Sequence, residues 1–370
     1  MNRMHGIIFS FEKPTGLGKL TEPRIHGSVP FGGEYRMVDF MLSNMVNAGI
    51  RDVGVVMHGK CQSMLDHLRS GKSWDLSRNY GGLTLLPSFA YTERWGGDGR
   101  YRGKLEALAY VMDYVRHIRQ EYVVLADCDL AVNLELEPVL QAHLASGADI
   151  TAVCTPQPGG SDETYFQLDD TGRIIRTTCN DFAPSGYRSL NIYVLRRDLL
   201  VQLVEWCVSR NEYSLRRGVL QNMAATLHLQ AYVFDGFCAH ISDITSYYKS
   251  SMALLQPGIR HQLFRPDHPI YAKENDAPST YIDPSGLCVN SLISDGCDIQ
   301  GSVKNCILSR GVRVEKGASV EGCILFKDTV VRRGANVRYV IADKNVDIGA
   351  NVQLIGGENY PLVLGKFTKV

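Results

Sequence analysis

Two carboxylates stand directly after a strongly apolar segment of the sequence. They belong to the stretch ADCD at 126–129, and the residues before it, YVVLA, are apolar and rich in valine, as expected of a buried strand. Ligands of doubly wound α/β proteins bind outside the carboxyl ends of strands, and Mg²⁺ prefers carboxylate oxygens as ligands. Asp127 and Asp129 are therefore candidates for binding a cation or a substrate.

A second candidate site is the loop that follows the short apolar strand at 7–9. In nucleotide-binding α/β proteins this loop is rich in glycine, because its backbone N–H groups surround phosphate. Here the loop reads FEKPTGL at 11–17. Pro14 removes a backbone donor and Glu12 repels phosphate, whereas Lys13 and Lys19 would attract it. The loop is either a degenerate phosphate loop or a loop with another purpose.

The elements that must position these groups alternate between helices and strands over residues 1–245. Apolar residues recur at helical spacing from Met37 to Val46, and Gly49 stands where a left-handed helix C-terminus is expected. This alternation predicts a doubly wound α/β domain with mostly parallel strand pairing. Helices are predicted at 37–46, 104–118, 136–146 and 197–208, and strands at 7–9, 53–57, 122–126, 149–155 and 190–195.

The C-terminal part of the chain follows a different pattern, with an internal repeat. The segments VEKGAS and VRRGAN begin 17 residues apart, at Val314 and Val331, and Ile307, Ile324 and Ile341 recur at the same spacing. Short β-branched steps with small residues at the corners predict a left-handed parallel β-helix of hexapeptide repeats, with about 18 residues in each coil. Ordinary antiparallel strands would not keep three registers in agreement.

Three regions follow from these patterns. We predict an α/β domain over 1–245, a linker over 246–283 that is rich in proline, and the β-helix over 284–370.

Composition excludes several classes of protein. Basic and acidic residues are equal in number, 39 of each, so nothing global favours nucleic acid or an anionic membrane. The sequence has no apolar run long enough to span a bilayer and no evident signal peptide, which predicts a cytoplasmic protein. Its ten cysteines form no CxxC pair, so we expect reduced, mostly buried thiols and no zinc site.

Four longer motifs carry a resemblance to a known family. They are SVPFGGEYRMVDFMLSNMVNAGIRDVGVV at 28–56, GKSWDLSRNYGGLTLLPSF at 71–89, RYRGKLEALAYVMDYV at 100–115 and HISDITSYYKSSMALL at 240–255. The chain resembles the ADP-glucose pyrophosphorylase (glucose-1-phosphate adenylyltransferase) family over nearly its whole length, and within it the GlgD-type regulatory subunits. The resemblance implies a nucleotidyltransferase-like (Rossmann-like) mixed-sheet domain followed by the β-helix. It also implies a place in glycogen biosynthesis, where ATP and glucose 1-phosphate give ADP-glucose and pyrophosphate.

The same resemblance implies that most of the catalytic groups are replaced. Asp127 keeps the first position of the family's Mg²⁺ site, as a vestigial ligand. The other positions are the loop arginine at Gly16, the phosphate-binding lysine at His26, the adenine-contacting glutamine at His58, the sugar-phosphate lysine at Asn180 and the second metal ligand at His240. Phosphoryl transfer depends on charge neutralisation and positioning. We therefore expect weak or absent Mg²⁺ binding and little intrinsic activity.

Three basic residues match positions where the family binds anionic effectors, namely Arg24, Arg36 and His67. The effector would be a sugar phosphate or phosphate, and the simpler alternative is that these are surface or salt-bridge residues. The implied partner is a homologous catalytic, GlgC-type subunit, in a tetramer.

Three other functions stay open at this point. A working nucleotidyltransferase with a rearranged site would use Lys13, Lys19, Asp127 and Asp243. A hexapeptide acyltransferase would need a catalytic histidine, and 284–370 contains none. A sugar-nucleotide binding or scaffold protein is the third alternative.

Overall fold

The fold is taken from a computed structural model that describes residues 3–11, 16–87, 101–179, 185–274 and 276–370. The helices are α1 (Met37–Asn47), α2 (Gln62–Leu68), α3 (Lys104–Tyr110), α4 (Met112–Arg116), α5 (Leu136–Ser146), α6 (Arg197–Val208), α7 (Ile244–Ala253) and α8 (Pro257–Leu263). Short 3₁₀ turns lie at Gly18–Leu20, His26–Ser28 and Lys72–Trp74, and a π-helical segment lies at Leu215–Gln221.

Strands fall into two groups along the chain. The first group is β1 (Met4–Ser10), β2 (Pro30–Phe31), β3 (Tyr35–Arg36), β4 (Asp52–Met57), β5 (Gly82–Pro87), β6 (Tyr122–Asp127), β7 (Leu130–Val132), β8 (Ile150–Thr155), β9 (Thr164–Leu168), β10 (Ile174–Cys179), β11 (Tyr187–Arg196), β12 (Leu229–Val233) and β13 (Cys238–His240). The second group is β14 (Tyr281–Ile282), β15 (Leu287–Val289), β16 (Leu292–Ile293), β17 (Asp298–Ile299), β18 (Ser302–Lys304), β19 (Ile307–Leu308), β20 (Arg313–Val314), β21 (Ser319–Glu321), β22 (Ile324–Leu325), β23 (Val330–Val331), β24 (Asn336–Arg338), β25 (Val340–Ala342), β26 (Asp347–Ile348), β27 (Gln353–Ile355) and β28 (Leu362–Leu364).

One compact unit is an α/β unit that comprises Met1–Phe11, Met41–Cys61 and Arg69–Gly236. Its nine-stranded sheet has the order β10-β9-β11-β6-β1-β4-β5, with β8 paired to β11 and β12 paired to β8. Strand β1 is parallel to β4 and β6, whereas β11 is antiparallel to β6, β8 and β9. The mixed-sheet fold is confirmed. The expectation of mostly parallel pairing is wrong, because apolar periodicity predicts a strand but carries no information on its direction.

The predicted elements of this unit are largely confirmed. Strand β4 covers the predicted 53–57, and α6 coincides with the predicted helix at 197–208. Gly49 has a φ of +74° and closes α1 in the left-handed conformation, as expected. The helix predicted at 104–118 is interrupted, because Val111 leaves the helical region with φ −103° and ψ 26°. The core of the unit is built from the apolar residues that these elements bury, among them Ile7, Leu125 and Val204.

A second compact unit comprises Glu12–Phe40, Gln62–Leu68 and Phe237–Val370. Its C-terminal strands stack as three five-stranded parallel sheets, as in a left-handed β-helix. Ile307 pairs with Ile324, and Ile324 pairs with Ile341, so the 17-residue register is confirmed. The coils are not uniform, since Leu292 pairs with Ile307 only 15 residues on, and Ile341 pairs with Val363. Valines and cysteines stacked in the same register fill the interior.

The segment predicted to be a linker, 246–283, contains most of α7 and all of α8. Its helical content was not evident from the sequence, and the boundaries at 245 and 283 stay predictions. All ten cysteines are free thiols, and eight of them are buried. Within the described ranges, no helix has both the length and the apolar character that crossing a bilayer requires.

Candidate functional site

Asp127 lies at the carboxyl end of β6, where the sequence predicted it, and pairs with a lysine. Its carboxylate Oδ2 is 3.0 Å from the Nζ of Lys104, the first residue of α3. Both side chains are well buried, with 13% of Lys104 and 6% of Asp127 exposed. The ammonium also lies 5.5 Å from the ring centroid of Phe9 and 5.4 Å from that of Tyr193. We call these four residues the Asp127 site.

The Asp127 site does not fit Mg²⁺. A divalent cation needs several oxygen ligands, and its charge would meet the ammonium that already holds the Asp127 carboxylate. Within the described ranges, no group of three or more His, Cys, Asp or Glu side chains is arranged to hold a metal ion. Asp129 is buried in the short connection between β6 and β7.

Asp243, which a rearranged active site would use, caps a helix instead. Its Oδ1 accepts a hydrogen bond of 2.7 Å from the backbone N–H of Ser246, and the Ser246 hydroxyl oxygen accepts one of 3.0 Å from the Asp243 N–H. This reciprocal pair is a capping box at the start of α7. His240, the predicted second metal position, is the last residue of β13.

Gly16 stands where the family's loop arginine is expected, and the structure leaves no room there for a side chain. The Gly16 N–H donates to the carbonyl of Ser242 at 3.2 Å, and the Ile244 N–H donates to the carbonyl of Gly16 at 3.2 Å. A Cβ atom on Gly16 would lie 2.6 Å from the Cβ of Asp243. The loop end is therefore pressed against the chain before α7 by backbone bonds.

Of the remaining predicted catalytic positions, His26 is buried, Lys19 and His58 are at least partly exposed, and the others lie outside the described residues. His26 lies in the turn His26–Ser28 and is only 4% exposed. Lys19 is exposed in the turn Gly18–Leu20, and the His58 ring packs 5.3 Å from the ring of Tyr101. Glu12, Lys13, Pro14 and Asn180 lie outside the described residues.

Two predicted effector residues, Arg36 and His67, are held by one buried carboxylate. Asp39 lies in the first turn of α1. Its Oδ2 accepts a hydrogen bond of 2.8 Å from the backbone N–H of Arg36, and its Oδ1 lies 2.6 Å from the Nε2 of His67. The Arg36 guanidinium donates to the carbonyl of Ser63 at 2.6 Å and to its hydroxyl at 2.9 Å. Burial lowers the pKa of Arg36 to about 10, and burial lowers the pKa of His67 although Asp39 opposes that shift.

Arg36 and His67 line a cleft of about 230 Å³ that is rich in positive charge. Among the described lining residues, Glu34 is the single carboxylate, and it pairs with Arg310 at 3.0 Å. Such an excess of cations over carboxylates suits an anion. We call this cleft the basic pocket, and its five lysine and arginine side chains are those of Arg36, Lys273, Arg310, Lys327 and Lys344.

Three of these cations occupy the same position in successive coils of the β-helix. Arg310, Lys327 and Lys344 are spaced by the 17-residue repeat. Their backbones stack, since the Asp328 N–H donates to the carbonyl of Arg310 and the Asn345 N–H to that of Lys327, each at 3.0 Å. Sequence reasoning missed them, although aligning the chain on its own repeat would have shown a basic residue at this position in three coils.

Lys344 is the most strongly perturbed of the five cations. Burial lowers its pKa to about 7, and the positive charges of Arg36 and Arg24 act in the same direction. A bound anion would restore its charge, because the ammonium would then have a partner of opposite sign.

Arg24, the third predicted effector residue, does not line the basic pocket. Its guanidinium binds both oxygens of Asp343, at 2.8 and 2.9 Å, and both side chains are almost fully buried. Asp343 also accepts the N–H of Lys344 at 2.7 Å. The ion pair therefore fixes the corner of the coil from which Lys344 projects.

Comparisons with known families and proteins agree on both parts of the chain. The sequence pattern of the nucleotidyl transferase family matches residues 6–256, and that of the GlmU-like, C-terminal hexapeptide family matches 279–360. The chain is similar to the glycogen biosynthesis protein GlgD of Bacillus subtilis, with 37% identity over 99% of this chain and 96% of that protein.

Two further relatives are a glucose-1-phosphate adenylyltransferase and a second GlgD protein. The glucose-1-phosphate adenylyltransferase of Thermosipho africanus is 32% identical over 86% of this chain and 78% of its own length. The GlgD protein of Geobacillus stearothermophilus is 32% identical over 86% of this chain and 82% of its own length.

Proposed function

The chain belongs to the glucose-1-phosphate adenylyltransferase family, together with the GlgD proteins, and from this premise we propose that it is a regulatory subunit with little or no catalysis of its own. It acts in glycogen biosynthesis with a homologous catalytic subunit. The observation that carries the proposal is the contrast between the Lys104–Asp127 ion pair and the cation-rich basic pocket. The chain is proposed to be cytoplasmic, in keeping with its free thiols.

The support for weak catalysis comes from residues that fill positions where the reaction needs open, charged groups. Lys104 neutralises Asp127, and the Gly16 position excludes a phosphate-binding side chain. His26, at the position of the family's phosphate-binding lysine, is only 4% exposed and so is not open to a phosphate group. Nucleotidyl transfer is catalysed mainly by cations and metal ions placed around the phosphates. A chain without these devices would bind the substrates weakly and stabilise the transition state poorly.

The support for regulation comes from the basic pocket. Among the described lining residues, five lysine and arginine side chains face a single carboxylate, so the site favours a ligand with two or more negative charges. Arg36 offers a planar guanidinium whose other hydrogen bonds already fix its orientation. Inorganic phosphate and phosphorylated sugars have the charge and the size that a cleft of about 230 Å³ accepts. We propose that such an anion is the effector.

A route from the pocket into the N-terminal segment runs through Arg24. Asp343 accepts the backbone N–H of Lys344, and Arg24 pairs with Asp343 while donating to the carbonyl of Leu20 at 3.3 Å. Anion binding at Lys344 would therefore bias the position of the turn Gly18–Leu20. This is allostery only if that change alters the partner's affinity or turnover.

The test measures ADP-glucose formation from ATP, glucose 1-phosphate and Mg²⁺. The chain is assayed alone, and then with the homologous catalytic subunit encoded in the same genome. We expect negligible product from the chain alone, and on mixing we expect a changed turnover or a changed response to phosphate and sugar phosphates. Robust turnover by the chain alone that Asp127→Asn abolishes would overturn the proposal in favour of a working enzyme.

A pair of matched variants tests the effector site in the mixed enzyme. Lys327→Gln removes a pocket cation, whereas Lys316→Gln removes an exposed lysine that does not line the pocket. We expect the first variant to weaken the response to phosphate and the second to leave it unchanged. Equal responses from both variants would remove the basic pocket from the proposed function.

A further inference from the structure

The ammonium of Lys104 is enclosed on several sides at the carboxyl end of β6. The Asp127 carboxylate lies at 3.0 Å, and the ring centroids of Phe9 and Tyr193 lie at cation–π distance, 5.5 and 5.4 Å away. Phe9 and Asp127 are neighbours on adjacent parallel strands, so the sheet itself sets the distance between ring and carboxylate. This is a cation site built entirely from the chain's own residues, with the cation supplied by the chain.

The backbone on both sides of Lys104 is held by close contacts with Tyr213, and these contacts set the position from which the lysine side chain extends. The Leu105 N–H donates to the carbonyl of Tyr213 at 3.1 Å. A Cβ atom on Gly103 would lie 2.1 Å from that same carbonyl oxygen, so only glycine allows the approach. Arg102 is also held in place, because its backbone N–H and its Nε both donate to the Glu106 carboxylate. The two distances are 2.6 and 2.9 Å.

Charge accounting then decides what the site accepts. The buried carboxylate already has a positive partner, and two cations on one carboxylate in a medium of low polarity repel each other strongly. Mg²⁺ would in addition need to approach the oxygen to roughly 2.1 Å and keep most of its octahedral shell. The Lys104 ammonium already lies 3.0 Å from Oδ2, a carboxylate oxygen that the metal ion would have to approach.

We propose that Lys104 is a built-in cation that takes the place of a divalent metal ion at Asp127 and so keeps the metal out. This inference deepens the proposed function, because it names the residue that disables the vestigial metal position. It does not depend on the effector pocket or on a partner. It also predicts that a single substitution exposes a latent metal ligand.

The test is the binding of Mn²⁺, used alone as a spectroscopic substitute for Mg²⁺, to the full-length chain without substrates. The wild type, Asp127→Asn, Lys104→Met and the double variant Lys104→Met/Asp127→Asn are compared by electron paramagnetic resonance and titration calorimetry. Lys304→Met is the matched control, since Lys304 belongs to an exposed ion pair with Glu321 at 3.6 Å. Lys104→Thr is a second variant in case the methionine variant does not fold.

We expect wild type and the Lys304→Met control to show no saturable binding that depends on Asp127. Lys104→Met or Lys104→Thr should bind Mn²⁺ at least tenfold more tightly, and the added Asp127→Asn substitution should abolish that gain. Wild-type binding that Asp127→Asn removes would overturn the inference, and so would a folded Lys104 variant without any gain. The test measures metal binding and not turnover. Asp127-dependent Mn²⁺ binding by the wild type would therefore overturn this inference and leave the proposed function standing, since that function is tested separately by ADP-glucose formation.

Discussion

The Asp127 site and the basic pocket use the same side-chain chemistry to opposite ends. At the Asp127 site the Lys104 ammonium pairs with the Asp127 carboxylate, and two aromatic rings lie at cation–π distance from the ammonium. At the basic pocket, the described lining residues bring five lysine and arginine side chains to a cleft with one carboxylate. Balanced charges need no ligand, whereas like charges brought together are stabilised by an anion. The comparison separates a position whose charge is already paired from a cleft with an excess of positive charge.

The largest expected effect comes from the buried ion pair behind the basic pocket. Arg24→Met leaves Asp343 buried without its guanidinium, and breaking such a pair costs about 3–5 kcal/mol of folding free energy. The measurement is urea denaturation, in which the midpoint should fall clearly. The exposed pair of Arg116 and Glu205 is the control, and Arg116→Met should leave the denaturation midpoint nearly unchanged. Equal effects from the two variants would contradict the structural role of Arg24.

The Asp127 site should lose somewhat less stability when its cation is removed. Lys104→Met leaves a buried carboxylate facing two rings, which we expect to cost about 3 kcal/mol. Adding Asp127→Asn should recover most of the loss, because the unpaired charge is then absent. Thermal denaturation of the two single variants and the double variant closes the cycle. If the losses simply add, the two side chains are not coupled and the comparison fails.

The anion affinity of the basic pocket is tested by removing its three stacked basic side chains together. Arg310→Gln/Lys327→Gln/Lys344→Gln should weaken phosphate binding by about a hundredfold, which corresponds to about 2.7 kcal/mol. The matched control is Arg313→Gln/Lys316→Gln/Arg333→Gln, which removes three exposed cations of the same β-helix. Calorimetric titration with inorganic phosphate gives both affinities. An equal loss in the control would indicate a general charge effect rather than a site.

The smallest effect is a pH dependence that only the basic pocket should show. Because the pKa of Lys344 is lowered to about 7, anion binding above pH 7 must draw a proton onto its amine. Sulfate affinity should therefore fall as the pH rises from 7 to 8.5, by at most tenfold per pH unit. The pKa of His67 is lowered, so its titration lies below this range. Lys344→Met should flatten the profile, and an unchanged slope would exclude Lys344 as its source.

The sequence predicted the repeat and the strand ends well, because each is a local pattern. The 17-residue register of Ile307, Ile324 and Ile341 appears unchanged in the strand pairing. Asp127 ends its strand as predicted. Predictions of two other features were wrong, each for a physical reason. Nothing local gives the antiparallel direction of β11 or the break at Val111, since both depend on what the segment packs against.

The residue patterns along the chain were enough to predict an α/β unit followed by a β-helix, and the replacement of the family's catalytic residues stays a prediction from the resemblance. Which charges meet is evident from the folded structure alone. Lys104 and Asp127 are 23 positions apart, Arg24 and Asp343 are 319 apart, and the pocket gathers residues from Pro30 to Lys344. Ion pairing and pocket formation act through distances in space. The order of residues fixes those distances only after the strands have paired and the coils have stacked.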